Sequence, residues 1–345
     1  MGGRRPAGAR RARHELNAFG RELTIGIEEE LFLVDARSLE AVPAVHEIVP
    51  EPSERVKLEL FQCLVETTTP ICRSAGEALD ALQRLREEVA ERAEAHGLAL
   101  LAAGSHPLAR GEEQPLVDAP VYRKMAAALG DAVQRQLVCG LHVHVGLPNE
   151  RACIHAYEGV LSWLPVVLSL AAASPYLDGA EAGARSGRAG RIAELPRASV
   201  PPVLAAWADY EALRREPGFD RMWWDARPHP DLGTLELRIA DMQTDVRRSA
   251  GLGALCQALV AAVLELPVDP LDRDVYVRRR EEGAREALPL EPLADLTERP
   301  ARRLGGWDLV EELLSAPAEA VRQLELGAGG DLDAVVADLA DRTPP

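Results

Sequence analysis

Three stretches of the chain alternate apolar and polar side chains at the two-residue period of a β-strand. The first, Thr24 to Asp35, reads TIGIEEELFLVD. It puts Thr24, Gly26, Glu28, Glu30 and Phe32 on one face and Ile25, Ile27, Glu29, Leu31 and Leu33 on the other. The second, Leu137 to Gly146, puts His142 and His144 on one face, with Leu141, Val143 and Val145 opposite. The third, Gly233 to Ala240, puts Thr234, Glu236, Arg238 and Ala240 opposite Leu235, Leu237 and Ile239. A fourth run, Val56 to Pro70, is β-prone and Thr-rich. Its Glu59 and Glu66 lie seven positions apart, so one strand aims both the same way only across a bend or bulge. Leu98 to Ala103 is a short buried strand.

Helical periodicity fills the intervals. Ser74 to His96 has a capping-box pair, Ser74 and Glu77, an apolar stripe of Leu79, Leu82, Leu85 and Val89, and Gly97 as its stop. Asn149 to Ala173 is a long apolar helix with Pro165 inside, so a kink or break is expected there. Trp207 to Leu213 is a short helix, and Asp245 caps a buried helix from Val246 to Leu266. Asp272 to Pro345 is helical and acidic, with breaks at Gly305-Gly306 and Gly327 to Gly330, and carries no chemical motif. Gly179 to Arg191 has no hydrophobic period and reads as a flexible loop, a lid over an anionic ligand. Apolar-striped helices between strands with one polar face predict an α+β fold. Its sheet is mixed or antiparallel, with helices on one side and a polar groove on the other. The expected organisation is a disordered tail at 1–20, a catalytic domain at 21–268 and a helical region at 269–345 packed on it.

Charge narrows the choice of partner. The chain carries 39 basic and 55 acidic residues, and five of the basic ones are Arg within the first 13 positions. So acidic a body argues against nucleic acid as the main partner. The Arg-rich start lacks the apolar core of a secretory signal. Two apolar runs, around Val160 to Ala173 and Gly251 to Val268, are short or interrupted for a membrane span, so no membrane partner is expected. Five scattered Cys without a CxxC pair suggest neither a disulfide framework nor a thiolate zinc site, and a reducing cytoplasm fits. The only Lys residues are Lys57 and Lys124, so anion binding must rest on Arg, backbone amides or metal. GxxxxGK is absent, which excludes a P-loop.

Glu28 and Glu30 share a face about 7 Å apart. Two such carboxylates call for a cation between them, and a hard divalent ion suits. Taken singly, each acid also reads as part of a solvated strand face. Together the strands support a groove in which Glu28, His142 and Glu236 hold one divalent ion and Glu30, Glu59 and Glu66 a second. Carboxylate-rich sites favour Mg²⁺ or Mn²⁺ over Zn²⁺. Several divalent ions plus Arg, without a P-loop, suit nucleotide phosphates.

GIEEELFLVD, ELFQCLVETTTPIC, CGLHVHVG, WWDARPHP and GTLELRIADMQT, in that order over roughly Leu23 to Leu266, resemble the carboxylate-amine ligases of the glutamate–cysteine ligase type 2 family. The resemblance implies a glutamine synthetase-like fold: a curved, mainly antiparallel sheet with helices on its convex face and metals and ATP in its concave face. It implies amide-bond formation from L-glutamate and L-cysteine, or another amine, through an acyl phosphate. It places metal binding on Glu28, Glu30, Glu59, Glu66, His142 and Glu236. Phosphate contact falls on Arg238, with Arg185 or Arg188 from the loop, and nucleotide contact on His144 and Ser186. The loop reads GAEAGARSGR where many relatives read like GRDTGYxSYR. Gly179, Gly183, Ser186 and Arg188 match, whereas Ala182 and Ala184 replace a hydroxyl and an aromatic. The alternatives are a regulatory protein that keeps nucleotide and metal but little activity, and a metal-dependent hydrolase. A homo-oligomer is left open.

Overall fold

The computed structural model describes residues 18–196, 198, 200–219 and 222–344. The Arg-rich start therefore lies outside the described residues. Residues 18–20, expected in the tail, join the body instead. The Gly20 amide donates to the Leu147 carbonyl at 2.9 Å, and the Phe19 ring meets Trp207 edge-on.

Seven strands form one antiparallel sheet: β1 (Ile25–Asp35), β2 (Val56–Leu58), β3 (Leu64–Thr68), β4 (Leu98–Leu101), β5 (Gly140–Gly146), and two that follow a small separate hairpin. That hairpin is β6 (Tyr176–Leu177) and β7 (Ala180–Glu181), and the last two strands are β8 (Ala226–His229) and β9 (Thr234–Asp241). The order is β2-β3-β1-β5-β9-β8, with β4 also beside β1. Phe32 faces both Leu64 and Leu101; a residue has two flanks, so β4 continues the β5 side. The three strands read from alternation are thus neighbours, and their registers align the polar positions. Glu28 lies opposite His142 and Thr68, Glu30 opposite Glu66, and His144 opposite Glu236.

The other face carries the core. Ile25, Ile27, Leu31 and Leu33 are buried there. In chain order the helices begin with α1 (Val45–Ile48), α2 (Ala75–Glu94), α3 (Pro120–Leu129), α4 (Asp131–Gln134), α5 (Glu150–Leu161) and α6 (Leu164–Ala171), and later helices follow. These are α7 (Gly187–Ala193), α8 (Trp207–Arg214), α9 (Val246–Leu264), α10 (Arg273–Arg285), α11 (Glu291–Arg303), α12 (Trp307–Ser315), α13 (Glu319–Gly327) and α14 (Leu332–Arg342). The central one is α9, which touches α2, α5, α11 and α12 as well as β1 and β5. Its small residues permit the close approach: a Cβ on Gly253 would sit 2.5 Å from Ile27 Cδ1. No single helix among the described residues is long and apolar enough to cross a membrane.

Two local expectations are corrected, and a third, the break near Pro165, is met. Val56 to Pro70 is a hairpin, with Lys57 opposite Glu66, rather than one bent strand; Glu59 sits in its connection. Asn149 to Ala173 is two helices at 62°. The chain breaks just before Pro165, which falls in the first turn of α6, where a missing N–H costs nothing. The loop Gly179 to Arg191 is ordered as the end of the small hairpin and α7. Ser186 caps α7 by accepting from the Ala189 amide. At α2 the Ser74 cap forms as expected, but Glu77 reaches past it to the Arg73 amide at 2.7 Å.

One feature of the helix face is charged. Glu29 sits among the buried leucines at 0% exposure, and Arg86 of α2, also at 0%, meets it with two parallel hydrogen bonds of 2.9 and 2.7 Å. The remaining Arg86 donors reach the carbonyls of Thr244 (2.7 Å), Gln243 (3.0 Å) and Thr343 (3.2 Å). An unpaired charge there would cost several kcal/mol, roughly 3–5; with all its donors engaged, the pair instead fixes β1 against α2.

Candidate active site

Strand pleating aims Glu28, His142, His144, Glu236 and Arg238 at one side of the sheet, and the antiparallel registers bring them together. One ligand atom each from Glu28, His142 and Glu236 lies within 4.8 Å of the others. These are the three residues predicted to share an ion, and they are the one such trio among the described residues. His142 Nδ1 is 3.4 Å from Glu28 Oε2, and His144 Nε2 is 3.8 Å from the same oxygen. His144 Nδ1 lies 2.9 Å from the Thr234 hydroxyl, which fixes the ring. Two carboxylate oxygens and an imidazole in a mostly buried pocket fit a divalent ion.

The carboxyls respond to this setting. Burial opposes ionisation of Glu28, but hydrogen bonding and charge from His142 and His144 outweigh it and hold the group far below its ordinary range. Burial likewise opposes ionisation of Glu236, and the Arg238 and Arg227 guanidiniums overcome it. Arg227 Nε donates to Glu236 Oε2 at 2.9 Å, and Arg238 Nη1 pairs with Glu236 Oε1.

The second predicted set is looser. Glu30, Glu59 and Glu66 gather beside the first set without closing to the same separation. The Gly140 amide donates to Glu30 Oε2 at 2.5 Å. Burial, then repulsion from Glu30 and Glu66, pushes the Glu59 carboxyl well up. Burial and the Glu28 charge raise Glu66 in spite of Lys57. A lysine does what the sequence reading left to a metal: Lys57 Nζ is 2.6 Å from Glu66 Oε1 and 3.6 Å from Glu28 Oε1. The oxygen-rich donor set of this second cluster, with too few cations among its acids, also fits a hard ion.

A cavity of about 100 Å³ adjoins the acids, walled by Glu30, Glu59, His142, Arg188, Trp223 and Arg238. Arg188 and Arg238 are therefore brought to the groove; Arg185 is not among its lining residues. Of the two tryptophans, Trp224 is core and Trp223 lines the cavity. The Ser186 hydroxyl is fully buried and donates to Asp241 Oδ1 at 2.8 Å, so here it is engaged in holding α7. A larger cavity, about 790 Å³, lies behind α7, on the helix face opposite Arg188 and Ile192, and contains none of the predicted metal ligands. Ala182 and Ala184 line this outer space. The loop departures thus thin the packing behind α7 rather than the groove wall.

Two positions of the candidate site were missed from sequence. Lys57 is one. Asp241 is the other: a fully buried carboxylate that accepts from Ser174 (2.7 Å), Ser186 (2.8 Å) and the Ala173 amide (2.8 Å) and lies 3.9 Å from Arg188 Nη1. Two steps on β5, Leu141 to Val143, face three on β9, Leu237 to Ala240. That bulge changes the phase of alternation after Arg238 and turns Asp241 toward the lid.

Comparison with known proteins shows what the chain is similar to. The model of the family described as glutamate-cysteine ligase family 2 matches residues 24–341. A protein of Rubrobacter xylanophilus, provisionally named glutamate–cysteine ligase 2-1, is 39% identical over 298 residues, covering 81% of this chain and 79% of its own. The glutamate–cysteine ligase of Natronomonas pharaonis is 32% identical over 351 residues, covering 94% and 96%. Among solved structures, the glutamate–cysteine ligase of Francisella tularensis in complex with AMP superposes with TM-score 0.67 at 12% identity, covering 95% of this chain and 89% of that one. The bifunctional glutathione synthetase of Pasteurella multocida gives TM-score 0.71 at 15% identity and 93% coverage, although the present chain spans only 51% of that enzyme. At such identities the structures speak for the fold alone.

Proposed function

Because the chain belongs to glutamate-cysteine ligase family 2 and is therefore an ATP-dependent carboxylate-amine ligase, we propose that it joins the γ-carboxylate of L-glutamate to L-cysteine or another small amine. A carboxylate oxygen attacks the γ-phosphorus of ATP, the bond to the bridging oxygen breaks, and ADP leaves. The amine nitrogen then attacks the acyl phosphate carbon, phosphate departs with the bonding pair, and the amine proton is lost. Divalent ions, when bound, neutralise phosphate charge and orient it. Glu28, His142 and Glu236 would hold one, and Glu30, Glu59 and Glu66 a second. Arg238 and Arg188 face the same cavity and supply fixed positive charge where phosphoryl charge develops. Arg185 would join them only if the loop moves.

The observation that carries this reading is the convergence of Glu28, His142 and Glu236 from three adjacent strands, with Arg238 held on Glu236. The amine is the open half. Ala182 and Ala184 leave α7 thinly backed, and a loosely braced lid discriminates poorly among acceptors. Slow transfer to cysteine and measurable transfer to other small amines are expected. Five free cysteines, all buried, accord with a cytoplasmic location. The test is ADP release and product mass spectrometry with glutamate, ATP, Mg²⁺ and a panel of amines. Fast, cysteine-exclusive product would remove the proposed breadth. Tight ATP binding with no amide from any amine would favour a regulatory binding protein, and ADP release independent of amine would favour a hydrolase.

A further inference from the structure

The acidic cluster carries a cation of its own. Lys57 stands on the edge strand β2, in register with Glu66, and its ammonium reaches across to Glu28, one of the three converging ligands. Its Nζ is thus within 4 Å of one carboxylate from each predicted ion set. Lys57 is placed by pleating, not by chance of a flexible stem. β2 and β3 are antiparallel neighbours, and the Lys57, Glu66 and Glu30 positions fall in one cross-strand row. Charge explains why it is held. Glu236 has two arginines and Glu30 has a backbone amide, whereas among the described residues Glu66 has Lys57 as its one ion-pair partner.

We propose that Lys57 is a built-in stand-in for a divalent ion: its ammonium occupies the space between Glu28 and Glu66 in the metal-free groove and swings out when an ion takes those oxygens. This rests on the ligase reading for the identity of the ion but concerns the protein without nucleotide. A divalent ion and an ammonium cannot both lie against the same carboxylate oxygens without strong like-charge repulsion. Lys57 also has somewhere to go, since its side chain is 36% exposed. The consequence is a groove that stays folded without metal and exchanges one cation for another on loading, instead of collapsing under five neighbouring carboxylates.

With two lysines in the chain, the swing can be observed directly. Full-length protein labelled with ¹³C at lysine Cε should give two resonances, assigned with Lys124→Arg. Adding Mg²⁺ without nucleotide should shift the Lys57 signal toward that of an exposed lysine. Its acetylation by a small acylating reagent should speed up about tenfold as the ammonium leaves its carboxylates. In calorimetry, Lys57→Met should bind one Mg²⁺ about tenfold more tightly than wild type, and Lys57→Arg should not. If calorimetry shows Mg²⁺ binding while the Lys57 resonance and reactivity stay fixed, the displacement is wrong although the metal site stands. If wild type binds no Mg²⁺ but Lys57→Met does, the stand-in role holds in a stronger form. If neither binds, the metal assignment and the inference both fall.

Discussion

Removing Arg86 should be among the most destabilising single changes in the chain. All its donors are committed: Nε and Nη2 to the two Glu29 oxygens, and Nη1 and Nη2 to the carbonyls of Thr244, Gln243 and Thr343. Arg86→Met leaves Glu29 without its cation at 0% exposure and strips three buried carbonyls of a donor. Breaking one side of a buried pair costs about 3–5 kcal/mol, and the carbonyls keep the figure at the upper end. Glu29→Gln should cost less, about 3 kcal/mol, because its amide oxygen still accepts from the guanidinium. Glu29→Leu combined with Arg86→Met should be less damaging than the two single changes added together, by about 2 kcal/mol or more. Urea unfolding with chelator present, extrapolated linearly, gives these differences. There is a functional signature too. Glu29 lies between Glu28 and Glu30, so loosening its anchor loosens both, and Glu29→Gln should weaken Mn²⁺ binding although its own side chain points to the other face. A loss under about 1 kcal/mol in Arg86→Met would show that the pair contributes little and that apolar packing alone fixes β1.

Four further outcomes are expected. Glu28→Gln and Glu236→Gln should each weaken Mn²⁺ binding about tenfold or more in calorimetry, since each removes a charged oxygen from the converging trio; unchanged affinity in both would refute the trio. Arg238→Lys keeps the charge but loses the planar fork, so turnover should fall far more than ATP affinity; normal turnover would reduce Arg238 to an ion-pair partner. In Gly140→Ala the new Cβ would lie 2.8 Å from Arg188 Cζ and 2.9 Å from His142 Nε2, so ADP formation should drop with little change in melting temperature; full activity would place Arg188 outside the chemistry. Burial, with Glu30 and Glu66 nearby, raises the Glu59 carboxyl above its ordinary 4.5. Its contribution to metal-free stability is therefore present below that value and lost as pH rises through the folded-state value. The melting-temperature gain from Mg²⁺ should grow over the same rise, and Glu59→Gln should flatten it.

The parts of this site that could be read from sequence share one property: they follow a strict two-residue period. Glu28 and Glu30, His142 and His144, and Glu236 and Arg238 stand on apolar strands where every second residue is buried, so their common face follows from pleating. What escaped did so where that period fails or where a partner comes from elsewhere. Asp241 was hidden by the bulge on β9, which no alternation rule anticipates. Lys57 was hidden because Val56 to Pro70 turns back on itself as a hairpin, which puts residues 57 and 66 side by side. Arg86 was hidden by reading α2 for its leucines alone. A signal existed there, because Glu29 falls on the apolar face of β1, and a carboxylate among leucines requires a buried cation. The ordering of α7 also had a signal in Ser186, a good N-cap, but its anchoring depends on Asp241 from a strand 55 residues away in sequence.

The C-terminal helices, which carry no chemical motif, reach the groove through one buried carboxylate. Asp225 accepts from the Tyr276 hydroxyl at 2.6 Å and from Arg280 Nε at 2.7 Å, both on α10. Its own backbone carbonyl accepts from the Arg238 amide at 2.8 Å. Arg280 also donates to the Ala189 carbonyl of α7 at 3.2 Å. One helix therefore ties together the strand that carries Arg238 and the lid helix that carries Arg188. The two arginines are also joined directly, since Arg188 Nη2 donates to the Arg238 carbonyl at 3.2 Å. Positioning of this kind matters most where charge develops in the transition state, because a misplaced donor costs rate before it costs binding. On the proposed chemistry, the buried Asp225–Arg280 pair would act at a distance from the phosphate, by keeping two guanidiniums in one frame. The frame is rigid on the Arg238 side and thin on the α7 side, where Ala182 and Ala184 leave open space. Tolerance for different amines should accordingly enter through movement of Arg188 and its helix, while the metal-side carboxylates remain fixed.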